Sequence, residues 1–441
     1  MTMLEGQHIT VLGGGLSGRA AAGLAKRLGA KVTLSDLRAD CLPLEGVENV
    51  MGEHPDSLLD VDTVVVSPGI PASTAAVQKA LAMGTEVVGE LGFAAEFLPE
   101  DVPLVAVTGT NGKSTVTSFT GQLLNAGGWR TFSGGNLGTP LSEAVGQSWD
   151  ALVVEVSSYQ MELPGAFAPH VAAVLNLSPD HLLRHKTMES YAAHKLRALS
   201  LLKAGGVGVL PAEDSLLDRL SADFGCDTCR FDDPSGFVLE SAGATVLGSS
   251  IGLEGLQVPG ELNRWNAAAA CLLARLAGLP VEDLHPEILT ALPHRMQGVP
   301  VQDNRLWIND SKATNVEATL AGVMGLTGPV VLLLGGQGKD GADYRRLRDL
   351  FENGPVVDAV VFGQAGSVIA SALSGHSVHR AEKLAGAVDL AKVLAESGAT
   401  VVLSPACASF DEFDDFSHRG RVFESLVAGV EKTDVEEGRE R

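Results

Sequence analysis

The sequence predicts an α/β protein of three consecutive domains, the middle one built on a mixed sheet. Three observations lead there. Short β-branched runs alternate with Ala/Leu-rich helical stretches through glycine turns from His8 onward, the pattern of parallel strands covered by helices. The pattern restarts at Val102, after a seam near Leu91–Ala95, and again at Leu306, after one near Met296–Val299. Two glycine-rich loops each follow a strand and open a helix, as phosphate-holding turns do. The expected domains are 1–92, 93–297 and 298–430. The last stretch, 431–441, mixes both charges without apolar periodicity and is expected to be a flexible tail.

The elements follow in order. His8–Gly13 (HITVLG) reads as the first strand, then a glycine turn, then an Ala/Leu helix to about Gly29. Lys31–Asp36 and Thr63–Ser67 are the next strands, the latter ending in Ser67-Pro68-Gly69. Their β-branched residues fit a pleated, buried surface. The middle domain opens with Val102–Thr108 and continues through Asp150–Val156 and Val171–Leu177. Val207–Leu256 is rich in Gly, Ser and Asp with weak periodicity, and is expected to add antiparallel strands. Asn266–Leu279 is the most apolar helical stretch, interrupted by Arg275. Leu306–Asn309, Pro329–Leu334, Asp358–Phe362 and Thr400–Ser404 supply the last sheet.

Composition bounds the function. Of 441 residues 45% are hydrophobic, enough for several cores and too many for a disordered chain. A formal net charge of −22 argues against nucleic acid or an anionic membrane as partner, because counterion release needs a basic face. An anionic small molecule in a local pocket stays compatible with it. Met1–Ile9 is polar with no apolar core, so no signal peptide is expected. No apolar run reaches the length of about 18 residues that spans a bilayer, so no membrane insertion is expected. Five scattered cysteines fit a reducing compartment, and a cytoplasmic protein, monomeric for preference, is expected.

Gly13, Gly15 and Gly18 form G-x-G-x-x-G after the first strand. Three readings stay open: a turn that only packs helix on strand, a nicotinamide dinucleotide site, or a site for another nucleotide-bearing ligand. Asp36, closing the second strand, could accept from a ribose or base. The second loop, Thr108-Gly-Thr-Asn-Gly-Lys-Ser-Thr115, has the Gly-Lys-Ser core of a P-loop. Lys113 would reach the β/γ-phosphates and Ser114 would bind Mg²⁺. The first glycine of the usual pattern falls on Val107, and Gly109 supplies the turn instead. Glu155, at the end of its strand, stands where a further magnesium ligand belongs. His181 and His185 are spaced i,i+4, but without the glutamate of H-E-x-x-H or a nearby cysteine zinc is not expected. His181 is placed near the P-loop magnesium, whereas His185 and His194 are expected to be solvated. Cys226-x-x-Cys229 is a lone pair and is read as incidental.

In this order the motifs resemble the Mur ligase family, ATP-dependent amide-forming enzymes of peptidoglycan synthesis. The resemblance runs through residues 109–114, Gly134-Gly-Asn-Leu-Gly138, Glu155-Val-Ser-Ser158, Asp180-His181 and Tyr191-Ala-Ala-His-Lys195. It continues through Asn263-x-x-Asn266, Leu292-Pro-His-Arg295, Asn309-Asp-Ser-Lys-Ala-Thr-Asn315, Gly335-Gly-Gln-Gly-Lys339 and Ser404-Pro-Ala-Cys-Ala-Ser-Phe-Asp411, then Phe416 and Arg419-Gly420. Leu-Pro-His-Arg, the Ser404–Asp411 run, Leu16-Ser17 and Ser67-Pro68-Gly69 are nearest to the family's D-glutamate-adding members. Two positions depart from the family pattern: Leu262 stands for a histidine and Leu183 for an aspartate.

The resemblance implies Rossmann-like first and last domains around a P-loop ATPase-type middle domain. It implies D-glutamate and UDP-N-acetylmuramoyl-L-alanine as substrates, with ATP and two Mg²⁺ ions. Gly15, Leu16, Ser17, Asp36, Leu37, Arg38, Ser67, Gly69 and Asn136 would hold the UDP-substrate. Gly109, Thr110, Asn111, Gly112, Lys113, Ser114, Thr115, Asn266, Arg295 and Asp310 would hold ATP. Thr314, Lys339, Ser409, Phe410 and Phe416 would hold D-glutamate. Lys113, Glu155, His181, Lys195 and Lys312 would be catalytic. Ser114 and Glu155 would bind one magnesium, and His181 with a CO₂-derived carbamate on Lys195 the other. A carboxylate is anionic and has a poor leaving group, so the implied route is an acyl phosphate attacked by the amino acid's amine.

Overall fold

A computed structural model describes residues 4–429 apart from 259, 302 and 340. The expected tail at 431–441 lies outside the described residues. Three sheets follow one another along the chain. The first holds β1 (His8–Leu12), β2 (Lys31–Asp36), β3 (Glu48–Met51), β4 (Thr63–Val66) and β5 (Glu86–Gly89). All are parallel, in the order β3-β2-β1-β4-β5. Chain direction across the sheet reverses between β1 and β4, and it is beyond the C-terminal ends of strands at such a reversal that these sheets take ligands. The helix Leu16–Arg27 lays Ala21, Ala22, Leu24 and Ala25 on the sheet. Its small side chains let it approach closely. A Cβ on Gly18 would lie 1.8 Å from the carbonyl oxygen of Gly13, so the third glycine is sterically required.

The middle sheet holds β6 (Leu104–Thr108), β7 (Thr131–Gly135), β8 (Ala151–Glu155), β9 (Val171–Val174), β10 (Val207–Pro211), β11 (Asp227–Phe231), β12 (Phe237–Leu239), β13 (Gly243–Val246) and β14 (Ser249–Gly252). Its order is β14-β13-β12-β11-β10-β9-β6-β8-β7. The strands from β7 to β12 are parallel, and β13 and β14 turn back antiparallel. The sheet is therefore mixed, and the antiparallel part falls inside the segment of weak periodicity. β6, buried along its length, lies inside the sheet between β9 and β8 and delivers the P-loop from its C-terminal end.

The third sheet holds β15 (Gln297–Val299), β16 (Leu306–Asn309), β17 (Val330–Gly335), β18 (Val356–Phe362), β19 (Val378–Arg380) and β20 (Thr400–Leu403), in the order β15-β16-β20-β17-β18-β19. Only β15, on the edge, runs antiparallel. Leu332, Leu334, Val361 and Val402 build the core on one face, and Val331, Leu333, Val360 and Val401 that on the other. Such two-sided burial is why these strands read as continuous apolar runs.

The chain forms two compact units. One holds residues up to Glu254 with Ala267–Ile288, and the other Gly255–Asn266 with the residues from Leu289 onward. The first two sheets share a unit, and their seam is polar as well as packed. Gly89 donates its N–H to Leu163 O at 2.8 Å. Glu90, 1% exposed, accepts both the N–H and the Oγ–H of Ser142 at 2.8 and 2.7 Å. Among the described residues no helix is long and apolar enough to cross a membrane.

Candidate functional site

The glycine loop of the first domain is held by one carboxylate. Gly13, at φ +97°, turns the chain out of β1. Asp36 then takes the Gly14 N–H on Oδ2 at 2.7 Å, and the Arg38 N–H and Nε–H on Oδ1 at 2.8 and 3.2 Å. Burial pushes the Asp36 carboxyl up, but the hydrogen bonds from Arg38 and Gly14 outweigh it and hold it down at about 2. Asp36 thus anchors the loop. Ser67 donates to Gly13 O at 2.9 Å and ties the end of β4 to the same turn. Space opens only at Gly15, where an added Cβ meets nothing within 4 Å. Leu16 and Leu37 are 66% and 65% exposed beside it. These are the features of a turn that leaves backbone N–H groups accessible to a phosphate.

The P-loop follows β6. Gly109 (φ +147°) and Gly112 (φ +82°) adopt backbone that other residues avoid. Asn176 braces the loop: it accepts the Asn111 N–H at 2.9 Å and donates to Asn111 O at 3.0 Å, while its own carbonyl takes the Thr110 N–H. Lys113 folds its ammonium over the loop onto Thr110 O at 2.8 Å. Ser114 donates to Glu155 Oε2, and Asn136 donates to Glu155 Oε1 at 2.5 Å. A hydroxyl, a buried carboxylate and an amide thus meet at the start of the helix Lys113–Ala126. Thr115 closes the loop as a buried residue of that helix.

One carboxylate and one hydroxyl suit magnesium, which keeps waters and phosphate oxygens among its ligands and needs no all-protein cage. Among the described residues no cluster of three or more His, Cys, Asp or Glu gathers as a metal site. The donor set therefore fits an ion that arrives with a nucleotide. When bound, it would screen phosphate charge.

Asp180 and His181 lead into a short helix, Leu182–His185, with His181 itself left-handed at φ 54°. His181 Nδ1 lies 2.9 Å from the Tyr159 hydroxyl, and Nε2 lies 3.5 Å from Asp180 Oδ2. Lys195, 2% exposed, donates to Gly109 O at 2.6 Å and lies 4.4 Å from the centre of the Tyr191 ring. Burial, reinforced by the charge of Lys113, holds its amine well below the ordinary lysine range. His185 corrects the expectation that it is solvated. It is 5% exposed and bonded to Ser158 Oγ at 2.9 Å, and burial pushes its imidazole down to about 4. Its neighbour His194 is half-buried against Ser190 O. Leu183, where the family pattern has an acid, is 89% exposed.

In the second unit the expected residues gather along the C-terminal edge of the third sheet, where β16, β20 and β17 end. Lys312 lies 3.6 Å from the centre of the Phe416 ring. Thr314 follows on the same loop, Lys339 and Phe410 are exposed, and Ser409 is buried. Arg419, fully buried, ties these loops together by donating to the carbonyls of Ser311, Gly335, Cys407 and Ala408. In the same unit Asn266 is 2% exposed and its Oδ1 has no hydrogen-bond partner, an acceptor a ligand could satisfy. Arg295 is half-buried on the loop after Leu292.

Asp310 is turned inward. Its Oδ2 accepts from Ser404 Oγ at 2.8 Å and its Oδ1 from the Met296 N–H at 3.2 Å. Burial pushes this carboxyl up to about 7, against the hydrogen bonds from Ser404 and Met296. A raised acid holds a proton in the folded chain that the unfolded chain has already released. Its contribution is complete below about pH 4 and is lost as pH rises through about 7. Asp310→Asn cannot ionise, so the variant is expected to gain on the parent across that window, by on the order of a few kcal/mol. Calorimetric melting of both proteins from acid to neutral pH checks this; a gap independent of pH would mean that Asp310 is ionised in the fold.

Tyr159, Asn176 and Arg184 shape the site without having been singled out in the sequence. Their roles depend on contacts with segments distant in the chain. The only local signal was their proximity to Ser157-Ser158, Asp180-His181 and Lys195.

Comparison with known proteins accounts for the arrangement. Residues 7–89 match the Mur ligase MurD-like N-terminal domain, residues 107–274 the Mur ligase middle domain, and residues 294–407 the Mur ligase glutamate ligase domain. The chain is 39% identical to the UDP-N-acetylmuramoylalanine–D-glutamate ligase of Myxococcus xanthus, covering 97% of this chain and 99% of that one. It is 36% identical to the ligase of the same name from Legionella pneumophila, covering 95% and 98%. Among solved structures, MurF from Acinetobacter baumannii superposes with a TM-score of 0.61 at 18% identity, covering 96% of this chain and 91% of that one. MurF from Thermotoga maritima in complex with ADP gives 0.61 at 17%, covering 96% of each. These two likenesses speak for the fold. With three matched domains and whole-length relatives, the chain belongs to the Mur ligase family, ATP-dependent ligases of an acid and an amino acid that serve cell-wall synthesis.

Proposed function

We propose that this protein adds D-glutamate to UDP-N-acetylmuramoyl-L-alanine at the expense of ATP. The observation that carries the chemistry is the convergence of Lys113, Ser114, Glu155, Asn136 and Lys195 around one phosphate loop. The choice of amino acid rests on whole-length similarity to ligases of that name.

In this reading the γ-phosphoryl group passes to the alanyl carboxylate, whose oxygen forms the new P–O bond as ADP leaves. Lys113 neutralises charge gathering on the transferred group. Ser114 and Glu155 would hold one magnesium, and His181 with a carbamylated Lys195 the second, the ions supplying positive charge against the phosphates. The amine of D-glutamate then attacks the acyl carbon, forming the C–N bond and expelling phosphate. Gly15, Leu16, Ser17, Leu37, Arg38, Gly69 and Asn136 bind the UDP-substrate around the loop anchored by Asp36 and Ser67. Asn266 and Arg295 bind the nucleotide, and Asp310 supports the loop of Arg295 from within through the Met296 N–H. Thr314, Lys339, Ser409, Phe410 and Phe416 receive D-glutamate, and Lys312 stands next to the acyl phosphate.

Phosphate release is the test. With UDP-N-acetylmuramoyl-L-alanine and ATP, rapid release is expected only when D-glutamate is added. Equal or faster release with L-alanine, L-lysine or diaminopimelate would replace the amino acid named here.

A further inference from the structure

Arg184 belongs to the middle domain but reaches across the seam to the first. Its Nη1 donates to Gly69 O at 3.2 Å, and its Nη2 to Pro68 O and Ile70 O, each at 3.3 Å. Its Nε and Nη2 also grip the Glu162 carboxylate at 2.8 and 3.0 Å. Glu162 in turn accepts the N–H of Ala72 at 2.9 Å. The side chains of the pair are only 14% and 12% exposed, so little water competes for either charge. The guanidinium lies 4.4 Å from the centre of the Tyr159 ring. The hydroxyl of that ring meets His181 Nδ1 at 2.9 Å. One stack therefore links the backbone at Pro68–Ala72, beside the glycine loop, to His181, whose ring centre lies 6.4 Å from that of Tyr191.

We propose that Arg184 and Tyr159 are positioning residues of the ligase reaction: Arg184 sets the Pro68–Ile70 backbone for the UDP-substrate, and Tyr159 sets the His181 ring. This rests on the functional reading above. A guanidinium is needed because its planar fork serves a carboxylate and several carbonyls at once, which a lysine cannot do. With Nδ1 at 2.9 Å from the Tyr159 hydroxyl and Nε2 3.5 Å from Asp180 Oδ2, the His181 ring keeps a fixed orientation.

Arg184→Lys and Tyr159→Phe separate the two roles. Arg184→Lys keeps the charge opposite Glu162 and is expected to raise KM for the UDP-substrate roughly ten-fold, leaving KM for ATP within about two-fold. It should also speed hydrogen exchange at the Ala72 amide. Tyr159→Phe keeps the ring under Arg184 and is expected to lower kcat roughly ten-fold with KM for the UDP-substrate unchanged. Unaltered exchange at Ala72, or faster exchange with unaltered KM, overturns the role of Arg184. Unaltered kcat overturns that of Tyr159. If the parent protein turns over no UDP-N-acetylmuramoyl-L-alanine, the functional reading fails on its own, and the exchange comparison still decides whether Arg184 holds the Pro68–Ala72 backbone.

Discussion

Lys113→Ala is expected to lower turnover on the order of a thousand-fold or more, while the affinity for the UDP-substrate stays within about three-fold. Phosphoryl transfer asks the protein for position and positive charge where negative charge gathers. In the structure Lys113 is the first residue of the helix Lys113–Ala126, with its ammonium drawn over the loop onto Thr110 O. The resting contact is with a carbonyl, which a phosphate oxygen readily replaces because it offers full charge. Alanine leaves the backbone of the loop intact, since Gly109, Gly112 and the Asn176 brace set its shape. The residues proposed to hold the UDP-substrate, Gly15, Leu16 and Ser17, lie at the start of the helix Leu16–Arg27 in the first domain, after a turn held by Asp36 and Ser67. Calorimetric titration with the UDP-substrate, paired with phosphate release, measures the two effects separately. A parallel loss of both would mean that Lys113 also supports the first site.

The parts of this site that a reader could find in the sequence are those whose chemistry is local. Gly-Lys-Ser after a buried β-branched strand specifies a P-loop because glycine φ, strand end and helix start fall within a few residues. β6, β8 and β9 were legible for the same reason: Val and Ala runs bounded by turns. β7 was missed because Thr131–Gly135 contains two glycines and one large apolar residue, and is a strand only because it pairs with β8. The burial of His185 depends on the Tyr191 ring of the next helix and on Ser158, 27 residues away. The inward turn of Asp310 depends on Ser404, 94 residues away. Arg184 is the clearest case, since its carbonyl partners lie 114 to 116 residues upstream and a backbone oxygen leaves no trace in residue type.

Lys195→Ala is expected to be nearly inactive, by at least about a thousand-fold, and to recover part of its activity with a small carboxylate such as acetate. Lys195 is buried and lies over the Tyr191 ring, with Nζ on Gly109 O of the P-loop itself. Burial and the charge of Lys113 both disfavour the ammonium there. The neutral amine this favours can attack CO₂: a C–N bond forms as one C=O π bond opens, the amine loses a proton, and lysine becomes a carbamate whose single negative charge is shared by two oxygens. An ammonium cannot coordinate magnesium, whereas those oxygens can. The same shift fixes a sign for stability. A lysine whose amine is neutral in the fold binds fewer protons than the unfolded chain, so its burial costs most at low pH, and the cost fades as pH rises toward the ordinary lysine value of about 10.4. Rigorous removal of CO₂ and bicarbonate should therefore lower the activity of the parent protein and leave that of Lys195→Ala untouched. Acetate should restore the variant and not Lys195→Arg, whose guanidinium fills the space with charge. Full activity without CO₂, together with no rescue of Lys195→Ala by any carboxylate, would assign Lys195 instead to a direct contact with phosphate.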